Sequence, residues 1–555
     1  MNQKIFAVLG LPDFKSYIMK YFLPIFMLDF LLLFLFLFGF EDTTVKTIGI
    51  VVFAAVFLVL FTYPIILIDN QSRNIEENLH YFITYAGALS TVNLERKELF
   101  ADLSQKVRYK EISNIFKKLI YLVESIKIDF ATSAYKMASL LKTEHFARFL
   151  ERMGIALSFN ANISKFLLDE QVALMNSYDN VYREGLERIK MVQEMFVSLI
   201  LAFAFVLATI LLIPFITGID ATVFLKFGIV GIILLDFVMV VFVKFFIPKD
   251  NLYHSMGYEE GRQKVLITFI VSIIISFIIF PIVAFIDAPI MLKVAITGTP
   301  FFIVGLYANY QEKKVWNRDV LFPAFIRSLG DVHHSKGGTL TTTVETLLPH
   351  NFGILNSMLE RVYKRLKITS DKFNSWYYFS KESGSALIAE FMDIFVSVVY
   401  RGGSAQIAGA VVSDNMSRIN GLRDMKKEFG GTLKGNVYGT FFGLSLTIYV
   451  SLLISFLLFN IFASMTEGLD GVALDLIGDI FPTEEMGDSF ITSTYYIAAI
   501  LTIHAIISSF LIKEVDGGNR FSMFSDLVAL LWLGAIIEIV VTMMFKGMFS
   551  TYFPA

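Results

Sequence analysis

The chain has 555 residues, of which 55% are hydrophobic and only 17% charged, with 57 phenylalanines and a mean hydropathy of +0.63. That balance excludes an ordinary water-soluble domain and describes an integral membrane protein. The formal net charge is −3, and cysteine is absent, which rules out disulfides, thiolate metal sites and cysteine nucleophiles.

Nine runs of roughly 20 apolar residues are long enough to cross a bilayer core as helices. They fall near Tyr21 to Phe40, Thr47 to Ile68, Phe196 to Ile216, Thr222 to Ile247, Val265 to Ile286, Pro289 to Tyr307, Tyr438 to Phe462, Ile491 to Ile512 and Leu527 to Phe545. Gly298 and Pro300 interrupt the sixth. Two long polar segments, Asp69 to Glu194 and Asn309 to Val437, are separated by four spans and so face the same side. Lysines and arginines cluster at the membrane ends on that side, among them Lys15, Lys20, Arg188, Lys190, Arg262, Lys313, Lys314, Arg423 and Lys434. The longest loop on the other side, Met465 to Phe490, has seven acids and no base. The positive-inside rule therefore places the amino terminus and both polar segments in the cytoplasm of a cell membrane, with the carboxyl terminus outside.

Within the first polar segment, Ile112, Ile115, Phe116, Leu119, Val123 and Ile126 recur at steps of three and four, which predicts one apolar stripe along a helix. Phe146, Phe149, Leu150 and Met153 repeat the pattern, as do Met358, Leu359, Val362, Tyr363 and Leu366 in the second segment. No alternating run of strand length stands out, so the fold class is all-α. The expected organisation is a membrane hairpin (1–68), a cytoplasmic helical bundle (69–195), four spans (196–308), a second bundle (309–437) and three spans with an acidic external loop (438–555).

The two polar segments resemble each other. HYFITYAGALSTVNLERKELF from His80 lies over PAFIRSLGDVHHSKGGTLTTTVETL from Pro323, with Phe82 and Ile83 on Phe325 and Ile326. ARFLERMGIALSFNANISKF from Ala147 follows AEFMDIFVSVVYRGGSAQIAGA from Ala389 in its apolar positions. A nearly constant offset argues for duplication.

Asp331 to Leu348 looks most like a chemical site, because His333 and His334 precede Gly337, Gly338 and a run of threonines. Adjacent histidines at one helical end point about 100 degrees apart, which suits a metal poorly. The glycine spacing of a phosphate loop is missing. The stretch reads as a helix, turn, helix corner, with Thr342 and Glu345 as a capping box; Asn93 is the corresponding cap in the first copy. Asp29, Asp236 and Glu538 lie inside apolar runs, accompanied by Lys226, Lys244 and His504. They are readable either as interhelical pairs or as an ion pathway of a secondary transporter.

The first polar segment has 17 bases against 17 acids, and the second 17 against 12. Arg361, Lys364 and Arg365 share one helix face in the second, while Lys426 and Lys427 flank the membrane. Such a surface contacts either anionic lipid or an acidic partner. No recognisable nucleic-acid module accompanies the bases, so nucleic acid is not an expected partner.

Two tandem helical segments with the entry motifs YFITYAGALSTVNL and LFPAFIRSLGDV, set among nine spans, resemble the type II secretion F domain family, in particular its archaeal branch of archaellum platform proteins, FlaJ or ArlJ. That resemblance implies a membrane platform of a type IV pilus-like machine: it docks a cytoplasmic secretion-type hexameric ATPase, passes archaellin or pilin subunits to a filament, contacts other archaellum motor components, and acts as a homodimer. It assigns ATPase docking to Arg361, Lys364, Arg365, Lys367, Lys426 and Lys427. It implies no enzymatic activity, no cofactor and no bound metal. A platform for an archaeal adhesive pilus would read nearly the same.

Overall fold

The computed structural model describes residues 74–92, 94–217, 221–248, 250, 252–253, 259–466 and 483–549. The first two expected spans, Asp29, the cap residue Asn93 and most of the external acidic loop lie outside the described residues. Among those described, all regular structure is helical apart from one isolated antiparallel bridge between Tyr253 and Ser385.

In chain order the helices are α1 (74–89), α2 (Arg96–Gln105), α3 (Lys110–Glu124), α4 (Phe130–Ala138), α5 (Glu144–Ser158), α6 (Ile163–Thr217), α7 (Ala221–Phe246), α8 (Glu259–Ala284) and α9 (Ile290–Gly298). They continue with α10 (Pro300–Lys336), α11 (Leu340–Leu347), α12 (Asn356–Ile368), α13 (Lys372–Ser383), α14 (Ala386–Val399), α15 (Ala405–Thr466), α16 (Thr483–Asp516) and α17 (Met523–Met548). Six of these, α6, α7, α8, α15, α16 and α17, carry segments long and apolar enough to cross a membrane. A seventh candidate is the pair α9 and α10, which bends by 44° at the break between Gly298 and Pro300. Glycine followed by proline at a helix junction supplies both the backbone freedom and the missing N–H that such a break requires.

The duplication read from sequence is present as a repeated order of elements. Helices starting at Arg96, Lys110, Phe130, Glu144 and Ile163 are answered, at nearly constant separation, by helices starting at Leu340, Asn356, Lys372, Ala386 and Ala405. A short 3-10 turn precedes the second of these in each copy, Val107–Tyr109 and Gly353–Leu355. Even the caps repeat: Asp129 accepts from the Thr132 N–H at 2.9 Å, and Asp371 from the Asn374 N–H at 3.1 Å. Each cap contributes about 1 kcal/mol.

Both copies also use a glycine for a close helix crossing. A Cβ on Gly87 of α1 would lie 3.2 Å from the Leu167 carbonyl oxygen of α6, and one on Gly330 of α10 would lie 2.5 Å from that of Ala405 on α15. The stripes expected along α5 and α12 are buried, except that Tyr363 is half-buried. The stripe on α3 is buried at Ile112, Ile115, Phe116 and Leu119 but fails at its end, because α3 stops at Glu124 and leaves Ile126 exposed.

The chain forms two compact units. One unit joins 74–178 to 326–343 and 393–415; the other contains 179–325, 344–392 and the described residues from 416 onward. Inside the first unit the copies interlock through buried polar contacts. Asn415 Nδ2 donates to Thr84 Oγ1 at 2.8 Å, and Gln171 Nε2 donates to Asn415 Oδ1 at 2.8 Å. Around them Tyr85 donates to Asp102 at 2.8 Å, Arg401 pairs with Asp102, and Lys106 reaches Asp393 at 3.0 Å. Burial pushes the Tyr85 hydroxyl up to about 12, so it stays a donor.

Candidate functional site

The corner from Asp331 to Leu348 folds as a helix, turn, helix. α10 ends at Lys336, Gly337 and Gly338 take φ of 65° and 86°, and α11 begins at Leu340. The helix start differs from the expected capping box: Thr339 approaches the Thr342 N–H at 3.4 Å, and Glu345 instead accepts the Tyr363 hydroxyl. His333 bonds through Nδ1 to Thr343 Oγ1 at 3.0 Å across the turn, and burial holds its imidazole below the ordinary range. No group of three metal-ligating side chains occurs among the described residues.

On α12, burial of Met358, Leu359, Val362 and Leu366 forces the cations onto the opposite face. Arg361 donates to Glu382 Oε2 at 2.8 Å, and Arg365 engages the other oxygen of the same carboxylate. Burial raises Glu382, but the hydrogen bonds from Arg365 and Arg361 outweigh it and hold the carboxyl below its usual range. Lys364 and Lys367 are exposed, and the Lys367 ammonium stands 5.1 Å from the Tyr363 ring centre. The face thus keeps two outward lysines beside two arginines braced by one glutamate.

Lys426 and Lys427 do not extend that face. Lys426 is only 4% exposed, donates to the Pro248 carbonyl at 3.2 Å, and is pushed by burial below the ordinary lysine range. Lys427 packs its ammonium 3.4 Å from the Trp316 ring centre. Lys426 turns inward because its neighbour three residues back, Arg423, organises a buried polar node, and residues three apart share a helix face.

Arg423 is the centre of that node. Its Nε donates to Asp250 Oδ2 at 2.6 Å, Nη2 reaches the other Asp250 oxygen, and Nη1 donates to Asp319 Oδ2 at 2.9 Å. Asp319 also accepts from Ser385 Oγ, while that same hydroxyl caps α14 by accepting from the Ile388 N–H at 3.1 Å. Asn420 donates to the Asp319 carbonyl at 2.8 Å. Arg423 and Asp319 are almost wholly buried. Burial drives the Asp319 carboxyl up to about 6 despite the facing guanidinium. The backbone joins in, since the Ala386 N–H donates to the Leu252 carbonyl at 3.0 Å. The short connection after α7 is thereby fastened to α10, α14 and α15. A fork-shaped guanidinium joins two carboxylates, Asp250 on the connection and Asp319 on α10, with a donor geometry that a lysine lacks. In the sequence Arg423 is one of the bases at a membrane end, and nothing in its spacing reveals Asp250 and Asp319 as partners.

The acids inside apolar helices also have local partners. Asp236 on α7 pairs with His504 Nδ1 of α16 at 2.9 Å, and the imidazole stacks on Phe441 at 5.9 Å. Glu538 of α17 accepts the Met291 N–H at 3.1 Å, satisfying a free donor at the start of α9. The structure pairs Asp236 and Glu538 with different groups rather than with each other.

The chain is 30% identical over 505 residues to a flagella accessory protein J of Methanocaldococcus jannaschii, covering 89% of this chain and 88% of that protein. It is 26% identical over 555 residues to a flagella accessory protein J of Methanococcus voltae, covering 97% and 98%. No family model matches the chain, and no solved structure matches it. Identity sustained over nearly the full length of both relatives, on a chain whose described residues are helical and include six helices long and apolar enough to cross a membrane, makes this protein a member of the flagella accessory protein J family.

Proposed function

We propose that the protein is the membrane platform of an archaeal flagellum, an archaellum. A cytoplasmic hexameric ATPase docks on it, and the platform couples that motor to insertion of archaellin into the filament and to rotation. It contributes binding and force transmission and no catalysis of its own. Its polar segments face the cytoplasm, its carboxyl terminus lies outside, and it works as a homodimer. The type II secretion F domain is the module we assign to each repeated segment. The observation that carries the reading is the exposed basic face of α12, on a duplicated helical scaffold, in a chain of the flagella accessory family. Relatives named for a flagellum favour the archaellum over an adhesive pilus.

The test reverses Lys364 and Lys367 to glutamate, which leaves Arg361 and Arg365 on Glu382. Capture of the ATPase by the full chain in detergent is expected to fall at least roughly tenfold, to weaken further with salt, and filaments to be lost. Unchanged capture with normal filaments refutes this docking surface.

A further inference from the structure

Among the described residues, three polar atoms deep between the apolar helices of one compact unit have no hydrogen-bond partner: Ser445 Oγ and Tyr449 Oη on α15, and His504 Nε2 on α16. Ser445 and His504 are 0% exposed and Tyr449 2%. Other hydroxyls of α15 do find an outlet. Thr440 donates to the Asn436 carbonyl at 2.9 Å, and Ser455 to the Leu211 carbonyl at 2.8 Å. Ser445 and Tyr449 take neither course, although each hydroxyl both donates and accepts.

The three atoms belong to one neighbourhood. Ser445 stands one turn from Tyr449 and one turn from Phe441 on the same face of α15, and the His504 imidazole stacks on the Phe441 ring at 5.9 Å. His504 meets Asp236 through Nδ1, which leaves Nε2 on the other side of the ring. Tyr449 lies near enough to Glu538 of α17 for that carboxyl to act on its hydroxyl electrostatically. Glu538 is 5% exposed and accepts the Met291 N–H, which uses only part of what a carboxyl can accept. One turn before it, Gly534 closes the wall: an added Cβ would lie 2.8 Å from Met291 Cε and 3.5 Å from the Phe441 ring. Four helices, α9, α15, α16 and α17, thus converge on these groups.

A bilayer core supplies no partner for such atoms, and buried polar atoms in folded proteins are nearly always bonded. Two hydroxyls, an imidazole nitrogen and a carboxyl with lone pairs to spare match the roughly two to four partners that hold a buried water. An apolar occupant would leave the same atoms unbonded. We propose that α9, α15, α16 and α17 enclose a site for ordered water between Tyr449 and Glu538, with Ser445 and His504 Nε2 as its further partners. The site needs no docked motor and is independent of the platform reading.

The experiment is radiolytic labelling of the full chain in nanodiscs, read by mass spectrometry. An X-ray pulse turns water into hydroxyl radicals, which oxidise methionine and tyrosine beside it. Tyr449 and Met291 are expected to react at least roughly tenfold faster than Met392 and Met416, which are as deeply buried, and to do so with a radical scavenger in the bulk. Tyr449→Phe and Ser445→Ala should slow Met291 several-fold and lower the melting temperature. In a dry site, deleting an unbonded hydroxyl instead raises the melting temperature. Tyr449 and Met291 reacting no faster than the two controls overturns the proposal, whatever the variants do. So does fast labelling that the scavenger abolishes or that neither variant slows, and so does a higher melting temperature for Tyr449→Phe.

Discussion

Replacing Arg423 with methionine tests whether the buried node holds the connection after α7 against the helices around it. Methionine keeps much of the side-chain length but removes the cation that pairs with both Asp250 and Asp319. Deleting one member of a buried charge cluster costs about 3–5 kcal/mol, since the carboxylates left behind lose the charge that offset their desolvation. Against a net stability of about 5–15 kcal/mol this is a large loss. The pH dependence has a definite sign. The Asp319 carboxyl sits at about 6, above the ordinary aspartate value of 3.8, so the folded protein binds its proton more readily than the unfolded chain. Its ionised form therefore weakens the fold fully above pH 6, and the penalty is relieved as pH falls through 6 towards 3.8. Thermal unfolding in detergent, followed through the three tryptophans, should show Arg423→Met melting many degrees below wild type at pH 7.5 and a smaller gap at pH 5.5. Adding Asp319→Asn should recover part of the loss at pH 7.5, because asparagine keeps the shape without the charge. A melting temperature for Arg423→Met within a degree or two of wild type at pH 7.5 refutes the argument.

Two further outcomes follow from packing and pairing. Gly330→Ala forces a methyl against the Ala405 carbonyl and should lower the melting temperature, whereas alanine at Gly431, Gly435 and Gly439, where an added Cβ meets nothing within 4 Å, should raise it by about 0.5–1 kcal/mol of stability per site; the reverse order would show that the glycines of α15 are already packed against another molecule. Asp236→Asn removes the charge facing His504 while keeping a hydrogen-bonding shape, and should leave swimming speed near wild type with a modest loss of heat resistance; abolished swimming with an unchanged melting curve would favour an ion pathway over a structural pair.

Much of this architecture is legible in the sequence because it repeats or has a period. The stripes on α5 and α12, the interruption at Gly298 and Pro300, and the turn at Gly337 and Gly338 follow from side-chain spacing and backbone freedom. Helix ends are less legible. Ile126 continues the three-four rhythm of α3 but lies past Glu124, since Asp129 starts a new helix and the chain must turn between them. Thr339, Thr342 and Thr343 are all chemically able to begin α11, and which one sits beside the free N–H is decided by the preceding glycines. Partners across the fold are least legible of all. Lys426 and Lys427 look alike as neighbours, yet they lie about 100 degrees apart on α15, which sends one to the Pro248 carbonyl and the other to Trp316.

Those buried partners also bear on how a long helix in this fold carries a displacement. α6 and α15 occupy equivalent places in the repeat and run unbroken for 55 and 62 residues, about 80 and 90 Å, from polar sequence into apolar sequence. A helix of that length bends if only its ends are held. α15 is instead gripped at intervals, by the Ala405 and Gly409 crossing on α10, by Asn415 between Thr84 and Gln171, and by Arg423 between Asp250 and Asp319. Each grip is polar or backbone-close, and so fixes register as well as distance, which greasy packing alone does poorly. Displacement of one end of such a helix must then be passed along it or break a buried hydrogen bond, and the second course is the expensive one.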